Sequence, residues 1–158
     1  MAKIKSLKDC LLFRDFSDKG VALISQAVSE KKIPKGTPIF VEGMLGDTLF
    51  VVKKGKVSIS RSLPGVGEVE LGVIESGGYF GEMALIDGGN RAVSARTLVD
   101  TEVLTVDRDD FLKLVEKEML VAMRLVMAIA KGITNRTRDN LSMIDEYLTW
   151  RLGKKEES

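Results

Sequence analysis

Eleven of the fifteen glycines in this chain fall between Gly43 and Gly89. A backbone that turns this often cannot hold a long helix there, nor the crossover helices of a parallel sheet. The segments between the turns read as short strands: Pro38–Val41, Thr48–Lys53, Lys56–Arg61, Glu68–Ile74, Ala92–Leu98 and Glu102–Val106. Val57 and Ile59 alternate with Lys56, Ser58 and Ser60, the pattern of a strand with one face buried. Leu63-Pro64-Gly65 supplies a tight turn. Many short strands at close spacing predict a sandwich or a jelly-roll barrel.

The flanks have a different texture. Residues 1 to about 35 are predicted helical, with Ser17 as a cap and an apolar face of Val21, Ile24 and Val28, supported by Leu23 and Ala27. Pro34 and Gly36 are expected to end that region. From Asp107 the helical period returns, with Asp107 as cap and Asp109 and Asp110 on the first turn's dipole. Phe111, Leu112 and Val115 then face one way. A second helix is predicted from about Met119 to Trp150, with Gly132 as an interruption and a candidate kink. The expected fold class is therefore α+β, mainly β: a jelly-roll β-barrel with an N-terminal helix and a long C-terminal helix. A single domain is expected over 1–158, with the N-terminal helix and barrel at about 10–107 and the C-terminal helices at about 108–150.

The long helix carries a heptad-like seam: Leu120, Met123, Met127, Ala130, Thr134, Thr137, Leu141, Ile144 and Leu148. Packing on the barrel accounts for its first half. Little of the chain remains to bury Leu141, Ile144, Leu148 and Trp150, so a homodimer through the C-terminal helix is expected.

Composition removes several functions. There is no histidine, so the usual general base and the commonest transition-metal ligand are absent. Cys10 is the single cysteine and reads as a small buried hydrophobe, so no metal site or cofactor is expected. A metal-dependent enzyme on a cupin-like jelly roll lacks its usual ligands, and the expectation is a protein that is not an enzyme. With a net charge of +1 no strong field favours nucleic acid, and no apolar run is long enough for a membrane span. A cytoplasmic setting fits.

The stretch Phe80-Gly81-Glu82-Met83-Ala84-Leu85-Ile86-Asp87-Gly88-Gly89-Asn90-Arg91-Ala92-Val93 concentrates the chemistry. Gly81 admits a close backbone approach. Glu82 offers two acceptor oxygens for a ribose hydroxyl. A turn at Met83–Ile86 can aim free N–H groups at an anion, and Arg91 brings a donor fork suited to phosphate. By spacing alone this is a candidate phosphate site, or equally a surface ion pair across a glycine turn.

This stretch resembles the phosphate-binding cassette of cyclic-nucleotide-binding domains, the family of the catabolite activator protein and the regulatory subunits of cAMP-dependent protein kinase. Residues 42–57 resemble the family's glycine-punctuated second and third strands, and Leu12-Phe13…Phe16-Ser17 is similar to its N-terminal helices. The resemblance covers about residues 10 to 150. It implies that Gly81 and Glu82 hold the ribose, and that Ala84, Leu85, Arg91 and Ala92 hold the cyclic phosphate. Family members tuned to cGMP often carry threonine where this chain has Ala92, which favours cAMP, with cGMP as the second candidate. Ile133-Thr134-Asn135 followed by Leu141 resembles the dimer helix, in which an adjacent polar pair touches the purine, one residue from each subunit, implying base contacts from Thr134 and Asn135. The eight residues after Trp150, Arg151 to Ser158, are expected to fray and cannot form a recognition helix. The expectation is thus a regulatory sensor without its own DNA-binding or catalytic domain, acting through an unidentified protein partner. The alternative is a structural dimerisation module whose pocket is vestigial or takes another anion.

Overall fold

The computed structural model describes residues 2–156, leaving Met1, Glu157 and Ser158 outside the described residues. Helix α1 (Ala2–Lys8), a 3-10 turn at Leu11–Phe13 and α2 (Asp18–Ser25) precede the strands. These are β1 (Ser29–Ile33), β2 (Pro38–Phe40), β3 (Thr48–Lys54), β4 (Lys56–Leu63), β5 (Gly67–Glu75) and β6 (Tyr79–Phe80). A short helix α3 (Glu82–Asp87) follows, then β7 (Ser94–Thr97), β8 (Thr101–Asp107), α4 (Arg108–Lys117) and α5 (Met119–Glu156). The strands form two four-stranded antiparallel sheets, ordered β1-β8-β3-β6 and β2-β7-β4-β5. Non-sequential neighbours in both sheets make the jelly roll.

β3 shows why the layers stack as they do. Leu49 and Val51 enter a cluster with the helices, beside Phe13, Ile24, Phe111, Leu125 and Ile129. Phe50 and Val52 point the opposite way into the barrel, beside Phe40, Val57, Phe80, Ala95 and Val103. A strand sandwiched on both faces needs an unbroken apolar run, and Leu49-Phe50-Val51-Val52 is that run. Helices therefore cover one sheet while the two sheets enclose the second core.

Several boundaries differ from expectation. Helix α2 ends at Ser25, and Ser29–Ile33 pairs antiparallel with β8 instead of continuing a helix to about residue 35. Ser-Glu-Lys-Lys-Ile has one apolar residue and no period to read, so long-range pairing decides its state. Strand β6 was absent from the expected set because two residues carry no alternation. The seventh strand is shorter than Ala92–Leu98, and the expected turn at Met83–Ile86 is helix α3. Ser17 caps α2 as expected, its hydroxyl accepting from the Gly20 amide at 3.1 Å. Asp107 occupies the cap position of α4 but makes no capping bond; its carboxylate lies 2.8 Å from the Thr48 hydroxyl instead.

Helix α5 runs unbroken through Gly132 and past Trp150 to Glu156, 38 residues in all, or about 57 Å. Only one stripe of it, including Ala122, Leu125 and Ile129, is buried against the rest of the chain. Leu120, Met123 and Met127, expected to pack on the barrel, are exposed like Leu141, Ile144 and Leu148, because the neighbouring stripe through Ala122, Leu125 and Ile129 takes that place. Cys10 is buried, and desolvation pushes its thiol pKa up to about 11, so it is an inert core atom. Among the described residues, no helix is long and apolar enough to cross a membrane.

Candidate functional site

A cavity of about 510 Å³ opens between the β2-β7-β4-β5 sheet, α3 and the middle of α5. Its barrel wall includes Ile59, Leu71, Val73 and Val93; Gly81, Glu82, Ala84, Asn90, Arg91 and Ala92 form its polar corner. The far wall is α5, through Ile133, Arg136, Thr137 and Asn140. The size and the few convergent polar groups suit a small organic ligand.

Arg91 is held from several sides. Its amide donates to Met44 O at 2.7 Å and its carbonyl accepts from Gly43 N at 2.8 Å, tying it to the loop before β3. Its Nη1 donates to Thr48 O and Gly81 O, each at 3.1 Å, and Nη2 donates to Thr48 O at 3.1 Å. The guanidinium carbon stands 4.1 Å over the Phe40 ring, an arrangement that also orients the fork. The side chain fills the space beside Gly46, where an added Cβ would lie 2.2 Å from Nε.

The charge state of this corner is unusual. Arg91 is buried, yet its bonds run to neutral carbonyls, and its Nε has no hydrogen-bond partner. Burial lowers its pKa from the ordinary arginine value, against the opposing pull of the Asp47 and Glu82 carboxylates. Arginine nonetheless stays protonated in proteins, so the corner keeps a desolvated cation with an unused donor.

Glu82 begins α3 directly after Gly81, whose φ of 76° lies in the left-handed region. A β-carbon there would also sit 2.8 Å from Arg91 Nη1, so the turn requires glycine. The Glu82 carboxylate is buried and pairs with Arg136 of α5 through Oε1. The surface ion pair between Glu82 and Arg91 is thereby ruled out: both are buried, and each has other partners. Ala84 and Ala92 line the cavity; the Leu85 side chain is in the core, leaving only its backbone available at the first turn of α3. Among the described residues no cluster of metal-ligating side chains occurs.

Residues 30–118 match the family described as Cyclic nucleotide-binding domain. The chain belongs to that family. Over 127 residues this cyclic nucleotide-binding domain is 37% identical to the Cyclic AMP receptor protein of Thermus thermophilus, covering 80% of this chain and 59% of that protein. It is 31% identical to a cAMP-dependent protein kinase regulatory subunit of Mucor circinelloides, covering 66% of this chain and 23% of the other. The crystal structure of the Thermus thermophilus Catabolite Activator Protein superimposes with a TM-score of 0.73 at 34% identity, over 85% of this chain and 62% of that one. The chain thus spans about three-fifths or less of the length of these relatives.

The helix wall of this cavity is made by residues other than the expected base-contacting pair. Thr134 and Asn135 are exposed and do not line the cavity within the chain. The Thr134 hydroxyl donates back to Ala130 O at 2.8 Å. At about 100° per residue, Asn135 lies on the far side of the helix from Ile133. Arg136, Thr137, Asn140 and Tyr79 were missed. The available signal was the buried stripe itself: stepping from Ile129 by three and four reaches Ile133, Arg136, Thr137 and Asn140.

Proposed function

We propose that this chain is a regulatory module that binds a 3′,5′-cyclic nucleotide, cAMP ahead of cGMP, without catalysing its conversion. The observation that carries this reading is Arg91, a buried cation bonded only to neutral carbonyls, which lines one cavity together with a buried carboxylate. In this reading the cyclic phosphate accepts from Arg91 and from backbone N–H groups at Ala84, Leu85 and Ala92. Such charge-assisted bonds replace the counterion the protein does not supply. Arg136 holds Oε1 of Glu82, leaving Oε2 for the ribose 2′-hydroxyl beside Gly81. The base then lies between Leu71, Val73 and Val93 on one side and Thr137 and Asn140 on the other. An Asn amide presents a donor and an acceptor together, matching an adenine edge. Thr134 and Asn135, facing outward, would serve a base only from across a dimer seam.

The names of the relatives, a cyclic AMP receptor and a cAMP-dependent kinase regulatory subunit, support the same ligand class. The exposed seam from Leu120 to Leu148 supports a homodimer along α5. Thr137 belongs to both the seam and the cavity wall, which would bring ligand and interface into contact. A cytoplasmic protein partner completes the proposal.

Calorimetric titration with cAMP, cGMP and 5′-AMP tests it. The expected order is cAMP tightest, cGMP weaker by roughly 5- to 150-fold, as for one buried polar partner lost, and 5′-AMP weakest. Absence of binding by both cyclic nucleotides would contradict the reading and leave a dimerisation module with a pocket for another anion. Sedimentation should report a dimer at micromolar concentration, lost on Ile144→Glu; a monomeric parent would contradict the seam.

A further inference from the structure

Gly132 sits inside α5, where glycine is a poorer helix former than alanine. A β-carbon at Gly132 would lie 2.0 Å from the hydroxyl oxygen of Tyr79 and 3.4 Å from its Cζ. The phenol therefore occupies the space that any other residue's side chain would begin in. Tyr79 is held from behind by pairing with Val51 in β6–β3 and by packing against the helix-side core. Its ring also lines the cavity, and the Arg136 guanidinium carbon stands 5.9 Å from the ring centre. Arg136 is one turn beyond Gly132 and grips Glu82. One side chain thus touches the ligand cavity, the helix backbone and the cation that pairs with Glu82.

We propose that the Tyr79 hydroxyl seated on Gly132 sets the position of α5 against the cavity and so controls the grip of Arg136 on Glu82. Tyr79 and Gly132 act as positioning residues, relaying occupancy of the cavity to the long helix. The inference deepens the cyclic-nucleotide reading and rests on it for its ligand half. A ligand seated against Tyr79 presses on the helix where the phenol meets Gly132. That differential contact is what couples a site to a movable element.

The test is a size-swap cycle of the full chain: Gly132→Ala, Tyr79→Phe and the double variant. Helix propensity alone predicts that Gly132→Ala slows amide hydrogen exchange at residues 133–140. The packing predicts the reverse: exchange without nucleotide faster by roughly tenfold, and cAMP affinity weaker by up to roughly fivefold, the low end of the usual range of site coupling and no more than loss of the Arg136 grip itself. Removing the phenol oxygen leaves Cζ as the nearest atom, at ordinary contact distance. The double variant should then return both readouts to within about twofold of Tyr79→Phe. Slowed or unchanged exchange in Gly132→Ala, or a double variant as impaired as Gly132→Ala, overturns the proposal. If Gly132→Ala does not fold, a folded double variant supports the contact and an unfolded one overturns it. Should the parent bind no cyclic nucleotide, the functional reading fails while the exchange measurements still judge the Tyr79–Gly132 contact.

Discussion

The two walls of the cavity are built by different means. The barrel wall, from Gly81 to Val93, is fixed by left-handed backbone at Gly81, a buried arginine tied to two carbonyls, and cross-bonds to the Gly43–Gly46 loop. The helix wall is one face of α5, reaching the same cavity with half-exposed side chains; the Arg136 side chain keeps 49% of its accessible surface. Buried charge and strict backbone geometry leave the first wall little freedom. The second can shift by sliding or tilting one helix. Affinity should therefore reside mainly in the barrel wall, and base choice and response in the helix wall.

Substitutions on each side can break that division. The largest effect is expected at Arg91. Losing one partner of a desolvated charge pair costs about 2–5 kcal/mol, so Arg91→Leu should weaken cAMP binding on the order of 30-fold to several thousand-fold. The melting temperature should fall only modestly, because loss of the bonds to Thr48 O and Gly81 O is offset by removal of a buried cation whose hydrogen bonds run only to neutral carbonyls. Titration and thermal melts of the same preparation check both halves.

Arg136→Gln on the helix wall should do less. Its half-exposed charge is screened, and a pair of this kind contributes about 1 kcal/mol, or roughly fivefold in affinity. The deficit should shrink further in high salt. An Arg136→Gln loss as large as that of Arg91→Leu would erase the distinction between the walls.

The smallest expected effect is on selectivity alone. Asn140→Ala should narrow the cAMP-over-cGMP ratio by a few-fold while phosphate binding persists, within the modest worth of one hydrogen bond. Thr134→Ala should leave the ratio unchanged if the base is read within one protomer. A ratio that responds to Thr134→Ala and not to Asn140→Ala would move base reading to the partner across the seam.

The same contrast explains what could be read from the amino-acid order. Glycine spacing and alternation revealed the barrel, because turns and buried faces leave local marks. The Glu82–Arg91 stretch was legible for a related reason: its glycines and charges sit within one short segment. Strand β1 was illegible because its state depends on pairing with β8, far along the chain. On α5 the family resemblance pointed to Thr134 and Asn135, whereas the cavity is met by the neighbouring stripe through Arg136 and Asn140. An apolar period locates a helix's faces but does not say which one meets the barrel. Gly132 shows the same limit, reading as a helix defect until Tyr79 is seen against it.

The most direct test of the central claim is a crystal structure of the protein with cAMP. The account predicts the cyclic phosphate within hydrogen-bond distance of the Arg91 guanidinium and the Ala92 amide, with the ribose 2′-hydroxyl on Glu82. A phosphate bound elsewhere, with Arg91 still bonded only to Thr48 and Gly81 carbonyls, would contradict it.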